Sequence, residues 1–262
     1  MIKIENVEVV GWEHAIRGMR NPMNSWDKSD SGYCGGNEHI GCLHCSIAGS
    51  KKHNQEMISI DARELYGVKP CGKKEFDGSF CIGHNDLDLM HRLRNAGTDH
   101  RKFMRMIVVY DDITAPLYWW KEYDTYKVGT VANSCSTMHK IHEKEFTLED
   151  FSCEHLISEG LTNNEDGTIK TYNLQSDICL SVIITTLNTA REMYLKTKDK
   201  KYWWQMIQLL PSSYNQKRTV MLNYEVLANM YHSRKNHKLD EWRAFCKWVE
   251  SLPYAKELIC NE

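Results

Sequence analysis

The chain has 262 residues, of which 42% are hydrophobic, 26% charged and 10% aromatic, with 5 prolines. This is an ordinary globular composition, and it excludes collagenous, coiled-coil and disordered classes. With 33 Lys and Arg against 35 Asp and Glu, the formal net charge is -2, which excludes a protein built to coat nucleic acid or an acidic membrane face.

The first ten residues or so, IKIENVEVVG, alternate apolar and polar side chains and predict a strand, followed by a helix over Trp12–Met19. The N-terminus lacks the basic start and apolar core of a signal peptide, and no apolar run approaches the roughly 20 residues that span a bilayer. A soluble, cytoplasmic protein without membrane contact is the expectation. The polar segment RGMRNPMNSW, residues 17–26, has the character of a ligand loop.

From Gly32 to Gly83 the texture changes, because nine of the 15 glycines and half of the ten cysteines fall there. Residues 32–83 are therefore predicted to be a Cys- and Gly-rich insertion. A reducing compartment does not keep structural disulfides, so these cysteines call for another explanation. Cys34, Cys42, Cys45 and Cys71, with Cys81 and nearby histidines, offer a Cys-x-x-Cys knuckle and enough thiolates for a tetrahedral zinc site. The alternative is a reduced, exposed insertion. The scattered Cys135, Cys153, Cys179, Cys246 and Cys260 read as small core hydrophobes.

Order returns at Asn85, which is predicted to cap an amphipathic helix that ends at Gly97. Phe103–Ile113 reads as a strand, and Pro116 opens a helical turn over LYWWKEYD. Residues 126–145 look extended, and Asn163–Thr168 carries a turn signal. Helices are predicted over 174–198, 199–209 (ended by Pro211), Asn223–His232 and Leu239–Glu250. The fold class is α+β, with a sheet in the first half and a helical layer in the second.

Two passages carry polar residues in the right company for a site. Residues 115–142 mix rings with Lys121, Glu122, Asp124, Lys127, Asn133, Ser134, Ser136 and His139, which suits stacking on a planar ligand and holding an anion. A partly solvated amphipathic surface is the bland alternative. In residues 210–243, Arg234 with His237 and Lys238 has the donors to hold a phosphate or polarise a carbonyl, since guanidinium is a fixed planar fork. The alternative there is a charged helix end that favours the dipole.

The order Leu210-Pro211, Tyr214, Asn223, Asn229, Arg234, His237 and Glu241-Trp242 resembles the C-terminal half of the flavin-dependent thymidylate synthases (ThyX). The first half agrees in register. His100 precedes Phe103–Ile113 and Pro116, and the family signature Arg-His-Arg-x-x-Ser-x-Asn-Glu-x-Ser-x-Arg falls on Tyr126, Lys127, Thr130, Asn133, Ser134 and Ser136, after one extra residue near Ala132.

The resemblance implies a single ThyX-like domain over residues 1–262, with a central, mostly antiparallel sheet, a helical layer and the inserted segment. It implies methylation of dUMP at C5, with carbon from methylenetetrahydrofolate, hydride from reduced FAD and electrons from NADPH, in a homotetramer of phage or bacterial type. By position, Arg234 matches the arginine that activates the uracil, and Ser136 the serine beside the nucleotide phosphate. Asn229 and His100 match flavin contacts, as does Asn223 on the flavin or folate side. Tyr126, Lys127, Thr130 and Asn133 fall on the cofactor-binding part of the signature. Ser134 falls on its substrate side, and Glu122 stands where the family often has a nucleotide-contacting Gln.

The departures concern charge. The signature Arg-His-Arg is Thr125-Tyr126-Lys127, its Glu is Ser134 and its last Arg is Met138, while Ile207 and Glu225 stand at positions that are often basic. Lys127 supplies a point charge, not a bidentate fork. Arg17, Arg20, His139 and Lys140 are the candidates to compensate. Two alternatives follow from the same residues: a nucleotide-binding or regulatory protein without flavin chemistry, and a related phage-type enzyme that modifies C5 of a pyrimidine.

Overall fold

A computed structural model describes residues 2–33, 80–159, 162–163, 165–167, 169–170 and 174–261. Cys34, Cys42, Cys45 and Cys71 lie outside the described residues, as does most of the predicted insertion. The chain divides into two units. One comprises Met1–Glu8, Tyr110–Met221 and Ser233–Trp248, and the other Val9–Val109, Leu222–His232 and Val249–Glu262.

The first unit is built on an antiparallel sheet of four strands, β1 (Lys3–Val10), β4 (Val108–Pro116), β5 (Thr130–Ser134) and β10 (Asn215–Asn223). Their order across the sheet is β1-β4-β10-β5. Period-two alternation on β4 buries Asp111, Ile113 and Ala115. Pro116 then fixes the entry into α3 (Leu117–Tyr123), whose Trp119, Trp120 and Tyr123 are fully buried. The indole N–H of Trp120 donates to the Gln216 carbonyl at 2.9 Å and ties this helix to β10.

The central strand β10 has no counterpart in the sequence-based expectation, because Lys217, Arg218 and Thr219 break its apolar alternation. Cross-strand and local partners satisfy them. Lys217 and Thr219 meet Asp112 at 3.0 and 2.6 Å, while Arg218 pairs with Asp124 at 2.7 Å and lies over the Trp120 ring at 4.2 Å. Bonds from Thr219, Asn6 and Lys217 hold the Asp112 carboxyl down at about 2. The sheet thus recruits the second half of the sequence as well as the first.

Two short antiparallel pairs follow in the chain, β6 (Ser158–Glu159) with β9 (Leu174–Gln175) and β7 (Thr162–Asn163) with β8 (Ile169–Lys170). Two helices follow in this unit. α4 (Ser176–Thr197) ends on Lys198 in the left-handed conformation, and α5 (Lys200–Leu209) starts on Asp199, whose side chain accepts from the Lys201 N–H. Leu180, Leu187, Ala190 and Met206 on this hairpin cluster with Ile141, Phe146 and Phe151. The segment 126–145, expected to be extended, forms a strand only over β5. Of the scattered cysteines, Cys246 is buried, whereas Cys135 and Cys179 are exposed.

In the second unit α1 (Trp12–Arg20) starts from Gly11, whose φ of 94° and close approach to the Met106 carbonyl both require glycine. Trp12 packs edge-on against Tyr224 and Tyr254. Strands β2 (Gly32–Tyr33) and β3 (Phe80–Cys81) pair antiparallel and bracket the segment between them. α2 (His84–Asn95) is not capped by Asn85. Its free N–H groups are taken from outside by Asp30, which accepts from Asn85 at 2.9 Å and from Asp86 at 3.1 Å. The predicted strand over Phe103–Ile113 begins only at Val108. Arg101–Met106 is a 3-10 helix that buries Phe103 and Met104. α6 (Tyr224–Arg234) belongs to this unit as far as His232, while α7 (Asp240–Val249) belongs to the first unit as far as Trp248. No helix of the described residues is long and apolar enough to cross a membrane.

Candidate functional site

The first unit assembles a cation, a carboxylate and two rings from stretches more than a hundred residues apart. α3 supplies Glu122, the turn after it supplies Tyr126, the last residue of α6 is Arg234, His237 follows it, and Trp242 stands in the first turn of α7. The Arg234 Nε donates to the Tyr126 hydroxyl at 2.9 Å and its Nη1 donates to Glu122 Oε2 at 2.7 Å. The guanidinium carbon lies 4.8 Å from the Trp242 ring centroid and 5.6 Å from that of Tyr126, a cation–π geometry on both sides.

Glu122 Oε2 is the shared acceptor. Besides Arg234 it takes the Trp242 indole N–H at 3.0 Å, and His237 Nε2 stands 3.4 Å away. His237 Nδ1 accepts from the Leu239 N–H, which leaves Nε2 as the protonated nitrogen of the neutral ring. Arg234 and Glu122 therefore form a charge-matched pair with side-chain exposures of 20% and 35%, half-sheltered in an aromatic frame. Nη2 of Arg234 has no hydrogen-bond partner among the described residues, and it supplies two N–H donors to a ring carbonyl or another acceptor.

Ser136 lies elsewhere in the same unit, on the wall of a cleft of about 350 Å³ with Cys135, Lys140, Lys144, Tyr214 and Gln216. Its hydroxyl accepts the His139 N–H at 3.0 Å. Two of its lysines are charge-balanced, since Lys140 pairs with Glu143 and Lys144 with Asp150 at 2.9 Å. Burial acts upward on the Asp150 carboxyl, but the Lys144 bond and the Thr147 N–H outweigh it and hold the group below its ordinary range.

The remaining matched positions are dispersed. Thr130 donates to the Tyr126 carbonyl at 2.5 Å and so braces the turn that carries Tyr126. Lys127, Asn133 and Ser134 are exposed. His100 and Asn229 are exposed in the second unit, and Asn223 caps α6 there by accepting the Val226 N–H at 3.0 Å. Glu225, a carboxylate at an often basic position, is tied to Arg101 at 3.2 Å and to Arg105. The cations of that region are thus carried by the 3-10 turn after His100.

Arg20 is not a free compensating cation. It is buried with its Nε 2.6 Å from Asp86, which also accepts from Ser29 and Ser31. Arg17 and Arg20 do line a cavity of about 290 Å³ with Trp26 and Phe80. Among the described residues no group of His, Cys, Asp and Glu could hold a metal ion.

Trp242 is the partner that sequence reasoning leaves without a role. The signal for it is its place one residue after Glu241 on a helix start, where the indole turns inward while Glu241 receives the Tyr118 hydroxyl.

No protein-family model and no curated protein matches the sequence. Solved structures do. Thymidylate Synthase X (ThyX) from Helicobacter pylori with FAD and dUMP is similar over 99% of this chain and 97% of its own, with a TM-score of 0.56 at 13% identity. A second structure of flavin-dependent thymidylate synthase ThyX from Helicobacter pylori, complexed with FAD and dUMP, covers 97% and 98% with a TM-score of 0.55 at 14% identity. Identity at this level speaks to the backbone alone: the chain has the fold of the flavin-dependent thymidylate synthase ThyX.

Proposed function

We propose that this protein methylates dUMP at C5, as a single ThyX-like domain working in a homotetramer, with methylenetetrahydrofolate as carbon donor. The observation that carries the reading is Arg234, held by Glu122 and Tyr126 with Nη2 unengaged among the described residues, on the fold of enzymes whose structures contain FAD and dUMP.

In this reading Arg234 donates from Nη2 to a carbonyl of the uracil ring. A fixed donor there draws electron density toward the carbonyl and stabilises anionic character on the pyrimidine as C5 becomes nucleophilic. Glu122 and Tyr126 keep that donor aimed, so little reorganisation accompanies the reaction. Ser136, with Lys140 beside it, holds the nucleotide phosphate in the cleft, and Ser134 lies toward the same ligand.

Taken one by one, the residues matched to flavin contacts are exposed and of suitable chemistry: Lys127 and Asn133 in the first unit offer a charge and an amide, and His100 and Asn229 in the second offer an imidazole and an amide. Tyr126 and Thr130 order the turn that carries Lys127, and Asn223 shapes the start of α6. FAD, when bound and reduced with NADPH, supplies the hydride.

The test is direct. Purified protein incubated with FAD is expected to carry flavin absorbance after gel filtration, and to release tritium from C5-labelled dUMP when NADPH and methylenetetrahydrofolate are added. Colourless protein that gains no thermal stability from FAD contradicts the flavin step. A second reading, nucleotide binding without flavin chemistry, is favoured by Thr125-Tyr126-Lys127 in place of the cationic signature, and colourless protein that still binds dUMP is its outcome.

A further inference from the structure

We infer that Trp242 is a positioning residue for Arg234, and that it works through two parts of one indole. The inference rests on the reading of Arg234 as the contact to the pyrimidine. The indole N–H donates to Glu122 Oε2 at 3.0 Å, while the indole face supports the guanidinium at 4.8 Å. A single side chain thereby holds both members of the pair that meet at 2.7 Å.

The indole is well placed to set a geometry. It has no solvent exposure, and Trp119, Phe245 and Tyr126 surround it at centroid distances of 4.8, 5.6 and 6.1 Å. A ring so enclosed keeps one orientation, whereas a half-exposed arginine on its own samples many rotamers. Trp242 passes its fixed orientation to Arg234 directly through the ring face and indirectly through Glu122. What remains is the Nη2 edge, pointing one way.

The same arrangement sets a preference. Glu122 cancels the Arg234 charge, so the edge attracts a neutral ring carbonyl and draws a phosphate far less than an unpaired guanidinium would. If Trp242 releases Glu122, the cation is uncovered and its direction is lost.

Trp242→Phe keeps an aromatic ring in the cluster and removes the N–H. The proton on Arg234 Nε, identified by its loss in Arg234→Lys, is expected to exchange slowly in the wild-type protein and at least about tenfold faster in Trp242→Phe. The dUMP dissociation constant is expected to rise about tenfold, the usual weight of a hydrogen bond to a charged group. Unchanged Nε exchange in folded Trp242→Phe overturns the positioning role whatever the nucleotide does. Absence of dUMP binding by the wild-type protein overturns the reading of Arg234 and leaves the exchange result to decide on Trp242.

Should Trp242→Phe fail to fold, Glu122→Ala reports from the other side. The Trp242 indole N–H is then expected to lose its protection, and Arg234 Nε to exchange faster. Protection equal to wild type at both protons overturns the inference.

Discussion

The Nε of Arg234 donates to the hydroxyl of Tyr126 at 2.9 Å, joining two residues 108 positions apart. Tyr126 stands where the signature of the resembling family carries a basic residue, and here it restrains a cation in place of being one. A carboxylate, Glu122, neutralises the arginine at 2.7 Å.

Arg234→Ala is expected to abolish turnover and to weaken dUMP binding by at least tenfold, the loss of about 1.5–3 kcal/mol that goes with a charged hydrogen bond. Because Arg234 sits at the end of α6 and is not part of the buried core, thermal unfolding should remain cooperative and close to wild type. Titration calorimetry and a melting curve check both halves, and wild-type turnover in the variant removes Arg234 from its role.

Ser136→Ala and Lys140→Ala test the cleft. Each is expected to weaken dUMP about tenfold, in line with a loss of roughly 1–3 kcal/mol per phosphate contact. Deoxyuridine, which lacks the phosphate, should bind wild type and variants alike. An equal loss for nucleotide and nucleoside places the phosphate elsewhere.

Parts of this structure are legible in the sequence for stated physical reasons. The helix over Leu117–Tyr123 follows from Pro116, and the end of α5 from Pro211, because helix starts and breakers act locally. β10 is not legible, since Lys217, Arg218 and Thr219 look solvated until Asp112 and Asp124 arrive from elsewhere in the chain. Phe103–Met106 is a short segment, apolar but for Arg105, and periodicity alone does not separate a 3-10 turn from a strand. At the site, Glu122, Tyr126 and Arg234 each stand out by position, and the structure brings those three together. That Trp242 completes the group depends on a bond across 120 residues, which no local pattern encodes. The zinc ligands expected at Cys34, Cys42, Cys45 and Cys71 lie outside the described residues.

Asp111 predicts a pH dependence of stability. Both of its carboxyl oxygens are buried without a hydrogen-bond partner among the described residues, and burial, then Asp112, pushes the group up to about 8 from its ordinary 3.8. Between those values the folded chain keeps a proton that the unfolded chain has released, so stability falls as pH rises from about 4 to 8 and levels off above. Asp111→Asn removes the titration. At about pH 7 it is expected to be more stable than wild type by a few kcal/mol, since each pH unit of that interval corresponds to about 1.4 kcal/mol, and the advantage should vanish toward pH 4. Denaturant midpoints measured across that range check it, and parallel curves for the two proteins contradict it.

Arg20 and Asp86 form a pair in which both side chains are buried, at 5% and 0% exposure. Removing one partner leaves an unmatched charge, which costs roughly 3–5 kcal/mol. Arg20→Met should therefore lower the unfolding midpoint far more than Arg17→Met, whose side chain is exposed. Equal midpoints for the two variants would show that the pair carries no structural weight.

C5 methylation of dUMP on this fold is expected to depend on the Arg234, Glu122 and Tyr126 constellation. Tritium release from C5-labelled dUMP, with FAD, NADPH and methylenetetrahydrofolate present, measures it most directly. Release is expected to require FAD and to disappear in Arg234→Ala; flavin-loaded wild-type protein that binds dUMP and releases no tritium would rule that role out.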